Sequence, residues 1–243
     1  FWPYGTFESQ LKNRLKTYRQ SFLISGYLQI TDPNENDSEE GFKNSLIAFD
    51  QQLDKISSYD KSHLVPFGEY IPFQKYIPLA PVTNFRGLIP GEKPHDMQVT
   101  QNLSFIPLVC YEVIFPKLSS RRNCQKNNDL QLIINVTNDA WYGQSTGPYQ
   151  HLSITRFRAI EQGLPLVRSA NTGISAIIDS YGRVQKRIGL QKQGVIKNPL
   201  PKKTSEITSY SCYIGTMYLI FLAILSIMIL ISFSKNNVLT KIE

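Results

Sequence analysis

An uncharged, apolar run near the C-terminus limits the folds that are open to this 243-residue chain. Residues 213–233 read YIGTMYLIFLAILSIMILISF, 21 positions without Asp, Glu, Lys or Arg. At about 1.5 Å per residue, a helix of this length spans a hydrocarbon core of about 30 Å. Aromatic residues lie towards both ends, and Lys202, Lys203 and Lys235 flank the run as interface anchors. We therefore predict a transmembrane helix over 213–233, in preference to a buried core helix, and a short polar tail over 234–243.

The residues before this run predict one mixed α/β domain over 1–200, joined to the helix by a polar linker over 201–212. The hydrophobic share of 42% and the charged share of 19% are those of a globular protein and exclude a disordered one. Helical patterns cover 9–20 and 148–163. Strand-like runs cover 22–30, 45–50, 52–59, 103–111, 130–137, 166–169, 174–179 and 183–188, with 45–50 and 52–59 pairing as a hairpin. Strands mixed with helices predict stacked sheets covered by helices.

Charge and cysteine usage exclude several classes of function. The net charge is +7, but the basic residues are scattered and not interleaved with aromatics, so we expect no nucleic-acid partner. The three cysteines, Cys110, Cys124 and Cys212, form no CxxC pair and have no His cluster near them, which predicts no metal site. An odd count argues against a disulfide framework, although one disulfide remains open outside the cytosol. We interpret Cys124 and Cys212 as inert, and expect no cofactor.

Cys110 is the cysteine whose surroundings favour chemistry. It ends an apolar, strand-like run in IPLVCYEVIFP and is followed closely by Glu112. A thiol at the end of a strand projects from the sheet edge into a cleft, and a nearby carboxylate orients the site or sets its charge. Only the thiolate attacks, so such a nucleophile needs a base or a cation beside it. Buried packing is the alternative interpretation of Cys110.

A candidate for that cation lies in the segment KSHLVPFGEYIP, which begins at Lys61 and contains Glu69. Pro66 and Gly68 lie between them and predict a bend that lets the two ionic side chains converge. A lysine near an attacked carbonyl supplies positive charge where an oxyanion develops, and Glu69 would hold it by a charge-assisted bond. The alternative is an ordinary turn with a surface Lys and Glu.

A third segment, NVTNDAWYGQSTGPYQ over 135–150, runs from a predicted strand into a polar, glycine-containing loop. Loops at strand ends often line binding sites, so Trp141 and Tyr142 are candidates for contact with substrate, Trp141 with acyl chains. The alternative places Trp141 in the core, with Arg158 and Glu161 as a local helix pair.

Together the three segments, with the third continuing as HLSITRFRAIEQGLPLVRSANTGISAIID, resemble the apolipoprotein N-acyltransferases of the nitrilase superfamily. The resemblance covers about residues 1–190 and implies a nitrilase-like α-β-β-α four-layer sandwich on the periplasmic side of a bacterial cytoplasmic (inner) membrane. It also implies transfer of an acyl group from a phospholipid, through a cysteine thioester, to the N-terminal amine of a diacylglyceryl-cysteine lipoprotein.

On this resemblance Cys110 is the nucleophile, Lys61 the oxyanion-stabilising cation, Glu69 and Glu112 supporting acids, and Trp141 a loop residue near the substrate. The expected partners are phospholipid, lipoprotein and membrane, and we expect a monomer.

The chain departs from the family pattern in two ways. Tyr4 in FWPYGTFES occupies the position where the family has its general-base Glu, and no membrane helices precede the domain. We therefore expect an N-terminally truncated catalytic domain with low turnover. A membrane-anchored amide hydrolase and an inactive remnant remain as alternatives.

Overall fold

The computed structural model describes residues 6–31, 41–72, 88–119 and 130–239. The strands in these ranges are β1 (Leu23–Thr31), β2 (Gly41–Phe49), β3 (Lys55–Asp60), β4 (Met97–Thr100), β5 (Leu103–Val109), β6 (Leu130–Asn138), β7 (Leu166–Asn171), β8 (Ser175–Ile178) and β9 (Val184–Ile188). The α-helices are α1 (Thr6–Lys16), α2 (Pro116–Ser119), α3 (Gly147–Gln162) and α4 (Ser209–Leu239). Two 3₁₀ turns cover Cys110–Ile114 and Ala140–Tyr142. The predicted mixed α/β class is therefore confirmed.

The strands form two sheets. The first is antiparallel, in the order β1-β2-β3. The second has the order β4-β5-β6-β7-β8-β9, in which β5, β6 and β7 are parallel and the remaining pairs antiparallel. Parallel strands end at a common edge, and in open α/β sheets ligands bind in the crevice beyond that edge. The residues that follow β5, β6 and β7 therefore come together.

Two apolar cores hold the layers together. One lies between the sheets, and its buried members are Leu46, Ala48, Tyr59, Met97, Val99, Phe105, Val109, Leu132 and Ile134. The other lies between the second sheet and α3, and includes Ile106, Leu108, Ile133, Leu152, Ala159, Leu164 and Leu166. Alternate residues of β5 enter opposite cores because successive strand side chains point to opposite faces. The order sheet, sheet, helix follows directly from these two cores.

Most predicted elements are confirmed, with differences at their ends. The helix predicted over 148–163 is α3, and Gly163 follows it with a left-handed φ of 60° that suits glycine at a helix C-terminus. The predicted hairpin is the antiparallel pair of β2 and β3. The strand predicted to reach residue 111 ends at Val109, because the chain turns into a 3₁₀ helix at Cys110. The short strand β4 was not predicted, since four residues carry too little alternation.

The C-terminal helix α4 has 31 residues and is tied to the domain where it begins. The Ser211 hydroxyl donates to Gln162 Oε1 at 2.9 Å, and the Thr208 hydroxyl donates to the Glu161 carbonyl. Cys212 is disulfide-bonded, as the cysteine count left open, and is not a free packing cysteine. Counted over the described residues alone, no helix is both long and apolar enough to cross a membrane. The membrane span over 213–233 and the domain division at 200 stay predictions.

Candidate active site

Cys110 lies at the carboxyl edge of the parallel strands, directly after β5. It is partly exposed, and its φ of 52° lies in the left-handed region, which costs a residue with a Cβ about 1–2 kcal/mol. The strain requires support from the surroundings. Glu112 supplies part of it, because its Oε2 accepts the Val109 N–H at 2.9 Å across the turn. The prediction of a thiol projecting from a strand end is therefore matched by a sharp, tied-down turn.

Two cavities meet at this cysteine. The larger has a volume of about 490 Å³ and lies between the sheets, with Gly26, Asn44 and Asn171 among its lining residues. The smaller has a volume of about 170 Å³ and is lined by Val65, Tyr111 and Tyr142 in addition to shared residues. The residues that line both are Glu69, Cys110, Asn138 and Trp141. A reacting carbonyl at Cys110 thus has room on two sides, one largely apolar.

Lys61 and Glu69 converge as the sequence predicts. Lys61 follows β3 and is fully buried, and its Nζ lies 2.6 Å from each carboxylate oxygen of Glu69. The Val65 N–H also donates to Glu69 Oε2, at 2.8 Å, so the bend between the two residues closes on the carboxylate. Glu69 lines both cavities beside Cys110. The alternative of a surface pair in an ordinary turn is therefore wrong, because neither side chain is on the surface.

Glu112 is fully buried and accepts hydrogen bonds from the segment that carries Lys61. Its Oε1 accepts from the Tyr59 hydroxyl at 2.8 Å, the Ser62 N–H at 2.9 Å and hydroxyl at 3.1 Å, and the His63 N–H at 3.1 Å. Its other oxygen holds the turn at Cys110. One carboxylate therefore clamps the nucleophile turn to the segment around Lys61, so its geometry is that of a positioning group.

Trp141 and Tyr142 lie in the 3₁₀ turn after β6. The Trp141 side chain is 56% exposed and borders both cavities, so the alternative that places it in the core is wrong. Tyr142 lines the smaller cavity, where burial first, and then the neighbouring Tyr111 and Asp139, raise its pKa to about 12. A Cβ on Gly147 would lie 2.4 Å from the Tyr142 ring, so only glycine lets α3 begin this close to it. Both side chains are brought to the candidate site.

Behind Cys110 lies a buried polar network that the sequence pattern does not predict. Asp139 Oδ2 accepts from Arg168 Nη2 at 2.7 Å, and Asp139 Oδ1 lies 3.0 Å from His151 Nδ1. Burial alone would raise the pKa of Asp139, but the bond to His151 and the charge of Arg168 hold it below the ordinary value. Burial lowers the pKa of His151, against the effect of Asp139. The available signal was Arg168, a charged residue directly after the apolar Leu166 and Val167 of β7.

The structure brings Cys110, Lys61, Glu69, Glu112, Trp141 and Tyr142 to one region, while the roles assigned to them stay predictions. Tyr4 and Cys124 lie outside the described residues. Within those residues, no group of three or more His, Cys, Asp or Glu side chains is arranged to hold a metal ion. Arg158 donates to Glu161 at 2.9 Å, so the local helix pair that formed part of the alternative interpretation is present in α3.

Comparison with protein families matches the carbon–nitrogen hydrolase model to residues 9–208. Proteins named apolipoprotein N-acyltransferase are similar over much of the chain. That of Rickettsia typhi is 39% identical over 206 residues, which are 83% of this chain and 40% of the relative. That of Rickettsia bellii is 43% identical over 205 residues (84% and 40%), and that of Brucella melitensis 44% over 183 residues (74% and 34%). The chain spans two fifths or less of the length of these relatives.

Among solved structures, an amidase from Nesterenkonia sp. has a similar fold. The superposition has a TM-score of 0.51 at 21% sequence identity and covers 76% of this chain and 62% of the amidase. At this identity the likeness concerns the fold alone.

Proposed function

This chain belongs to the carbon–nitrogen hydrolase family, and on that premise we propose that it transfers an acyl group from a phospholipid to the N-terminal amine of a diacylglyceryl-cysteine lipoprotein. The single observation that carries the proposal is that Cys110 and Glu69, the partner of the buried Lys61, both line two joined cavities. The names of relatives up to 44% identical support the substrate class.

In the first step, the Cys110 thiolate attacks an ester carbonyl of the phospholipid. A carbon–sulfur bond forms and negative charge develops on the carbonyl oxygen. The ester carbon–oxygen bond then breaks, and the lysophospholipid alcohol leaves with the proton that the Cys110 thiol gave up. Lys61 has three ammonium N–H groups, of which Glu69 accepts two. We assign the third to the developing oxyanion, because such stabilisation is strong in a buried site. The product of this step is a thioester at Cys110.

In the second step, the lipoprotein amine attacks the thioester, an amide forms, and the thiol leaves. The incoming amine must lose a proton, which calls for a general base. Glu69 is bonded to Lys61 and the Val65 N–H, and Glu112 accepts five hydrogen bonds, so we assign neither carboxylate to this task. The family pattern puts the base at Tyr4, where a phenol with a reference pKa of about 10 is a poor base. Low turnover is the consequence.

The two cavities suit two substrates of different polarity. The smaller one is bordered by Val65 and by the aromatic side chains of Tyr111, Trp141 and Tyr142, which favours an acyl chain. The larger one carries Asn44, Asn138 and Asn171 and other polar side chains, which favours the polar parts of the donor and acceptor. Trp141 borders both cavities and offers an exposed apolar surface to the substrates.

We further propose that α4 anchors the domain in the inner membrane, with the catalytic domain on the periplasmic side. The side chains from Thr216 to Ser232 are exposed, and none of them is charged. A contiguous apolar surface of that kind is stable only when another phase covers it. The disulfide at Cys212 supports an oxidising compartment, where disulfides persist.

The test is to incubate the membrane-bound chain with phospholipid, a diacylglyceryl-cysteine peptide and a small amide, and to follow all products by mass spectrometry. The N-acylated peptide is the product that the proposal expects. Release of ammonia from the amide without peptide acylation would instead support an amide hydrolase. No product from either substrate, with the chain folded, would support an inactive remnant.

A further inference from the structure

A buried side-chain amide on the neighbouring strand β6 holds the backbone around Cys110. Asn135 lies in β6 and is fully buried. Its Nδ2 donates to the Leu108 carbonyl at 2.9 Å and to the Cys110 carbonyl at 3.4 Å. These two carbonyls lie on either side of the bend at which the chain leaves β5 and takes its left-handed φ at Cys110. Asn135 therefore acts on the part of the chain whose shape sets the direction of the thiol.

The orientation of that amide is set by Arg168. An asparagine side chain has an oxygen that accepts and a nitrogen that donates, and turning the amide over exchanges them. Arg168 Nη1 donates to Asn135 Oδ1, so Nδ2 must point towards the two carbonyls. Without this donor, the reversed amide would set its oxygen against the carbonyl oxygens of Leu108 and Cys110.

Arg168 is itself fixed on several sides. Its Nη2 donates to Asp139 Oδ2 at 2.7 Å, and its Nε donates to the Ile174 carbonyl at 3.3 Å. His151 Nδ1 lies 3.1 Å from the same Nη2. Arg168 is 2% exposed and Asp139 1%, and neither side chain lines the cavities that meet at Cys110. None of its charged groups has a direct part in the two steps proposed above.

We propose that Arg168, acting through Asn135, is a positioning residue that holds the Cys110 turn so that the thiol points into the cavities. The inference rests on the proposed function for its kinetic consequence, but the relay is defined by contacts within this chain alone. A planar guanidinium suits the task because it donates to Asn135 and Asp139 at the same time, which a lysine ammonium on a flexible stem does not do equally well.

The experiment is a double-mutant cycle with Asn135→Leu, Arg168→Lys and the two combined, in the membrane-bound full chain. Two quantities are measured: kcat and KM for acyl transfer, and the pH profile of Cys110 alkylation by iodoacetamide. We expect each single variant to lower kcat by about 10- to 100-fold, because small displacements of a reacting group have effects of this size, with little change in KM. The pH profile of Cys110 alkylation should shift in both single variants.

The decisive comparison is the double variant. If Arg168 acts through Asn135, adding Arg168→Lys to Asn135→Leu changes neither kcat nor the alkylation profile further. Independent, multiplying losses would overturn the relay. The alkylation profile also separates the two proposals: if the parent acylates nothing, the proposed function fails, while the profiles of the four proteins still decide the relay.

A matched control guards against loss of activity by unfolding. Asp179 is 5% exposed and accepts four hydrogen bonds in the turn between β8 and β9, and it lines neither cavity at Cys110. Asp179→Asn should lower the unfolding temperature and leave kcat and the alkylation profile unchanged. If it lowers kcat as much as Asn135→Leu at an equal loss of stability, the positioning role is refuted.

Discussion

Replacing Glu112 by Gln tests the clamp between the nucleophile turn and the segment around Lys61. The carboxylate accepts four hydrogen bonds at Oε1 and one, from Val109, at Oε2. A glutamine has one oxygen and one NH₂ group, so it cannot accept at both positions. The better orientation keeps the oxygen at the Oε1 position and sets NH₂ against the Val109 N–H, which loses its acceptor.

The magnitude follows from the groups left without partners. A buried donor without an acceptor costs about 1–3 kcal/mol, and here the Val109 N–H and the new NH₂ group face each other. The remaining four bonds also lose their charge-assisted strength. We expect the free energy of unfolding to fall by about 3–5 kcal/mol in total. For a domain of this size, that lowers the unfolding temperature by roughly 6–20 °C.

Thermal unfolding and the rate of Cys110 acylation measure the two consequences of Glu112→Gln. Asp179→Asn is the matched control, because it makes the same acid-to-amide change at a buried carboxylate with four donors. Both variants should unfold at lower temperature, and only Glu112→Gln should slow acylation in the folded state. An unchanged unfolding temperature for Glu112→Gln, or equal slowing in the two variants, would refute the clamp.

Three further predictions address other parts of the molecule. Trp141→Ala should raise KM for phospholipid about tenfold without loss of stability, whereas Tyr181→Ala, which removes another exposed aromatic side chain, in the turn between β8 and β9, should leave KM unchanged. Burial lowers the pKa of His151 from 6.5, so as the pH falls the unfolded chain protonates this side chain before the folded chain does. The unfolding temperature should therefore decrease as the pH is lowered below about 6.5, and it should decrease less steeply in His151→Gln. Removal of 213–243 should release the domain from carbonate-washed membranes, and continued pelleting would point to another anchor.

The sequence predicts the members of the candidate site better than its geometry. Cys110 was identifiable because an apolar run ends there, and Lys61 with Glu69 because Pro66 and Gly68 predict a bend. The left-handed backbone at Cys110 has no local signal, since it depends on bonds from Glu112 and Asn135. Such contacts join residues that are close only after the sheets have formed.

The buried network around Arg168 and Asp139 shows a second reason why the sequence does not predict the geometry of the site. Arg168 and His151 lie in segments whose apolar pattern predicts a strand and a helix, and a charged residue there is equally compatible with an exposed face. Their burial becomes clear only when β6, β7 and α3 meet around Asp139. The same holds for the ends of β5 and α1, where local pattern gives the element but not the residue at which it stops.

Formation of a thioester on Cys110 is the direct test of the proposed acyl transfer. The membrane-bound chain is incubated with phospholipid alone, without an amine acceptor, digested at acidic pH, and the peptide containing Cys110 is measured by mass spectrometry. The proposed chemistry predicts an acyl adduct on this peptide, removable by hydroxylamine and absent in Cys110→Ser. An acyl adduct that persists in Cys110→Ser, or an unmodified Cys110 peptide from a folded chain that still acylates a lipoprotein peptide, would contradict it.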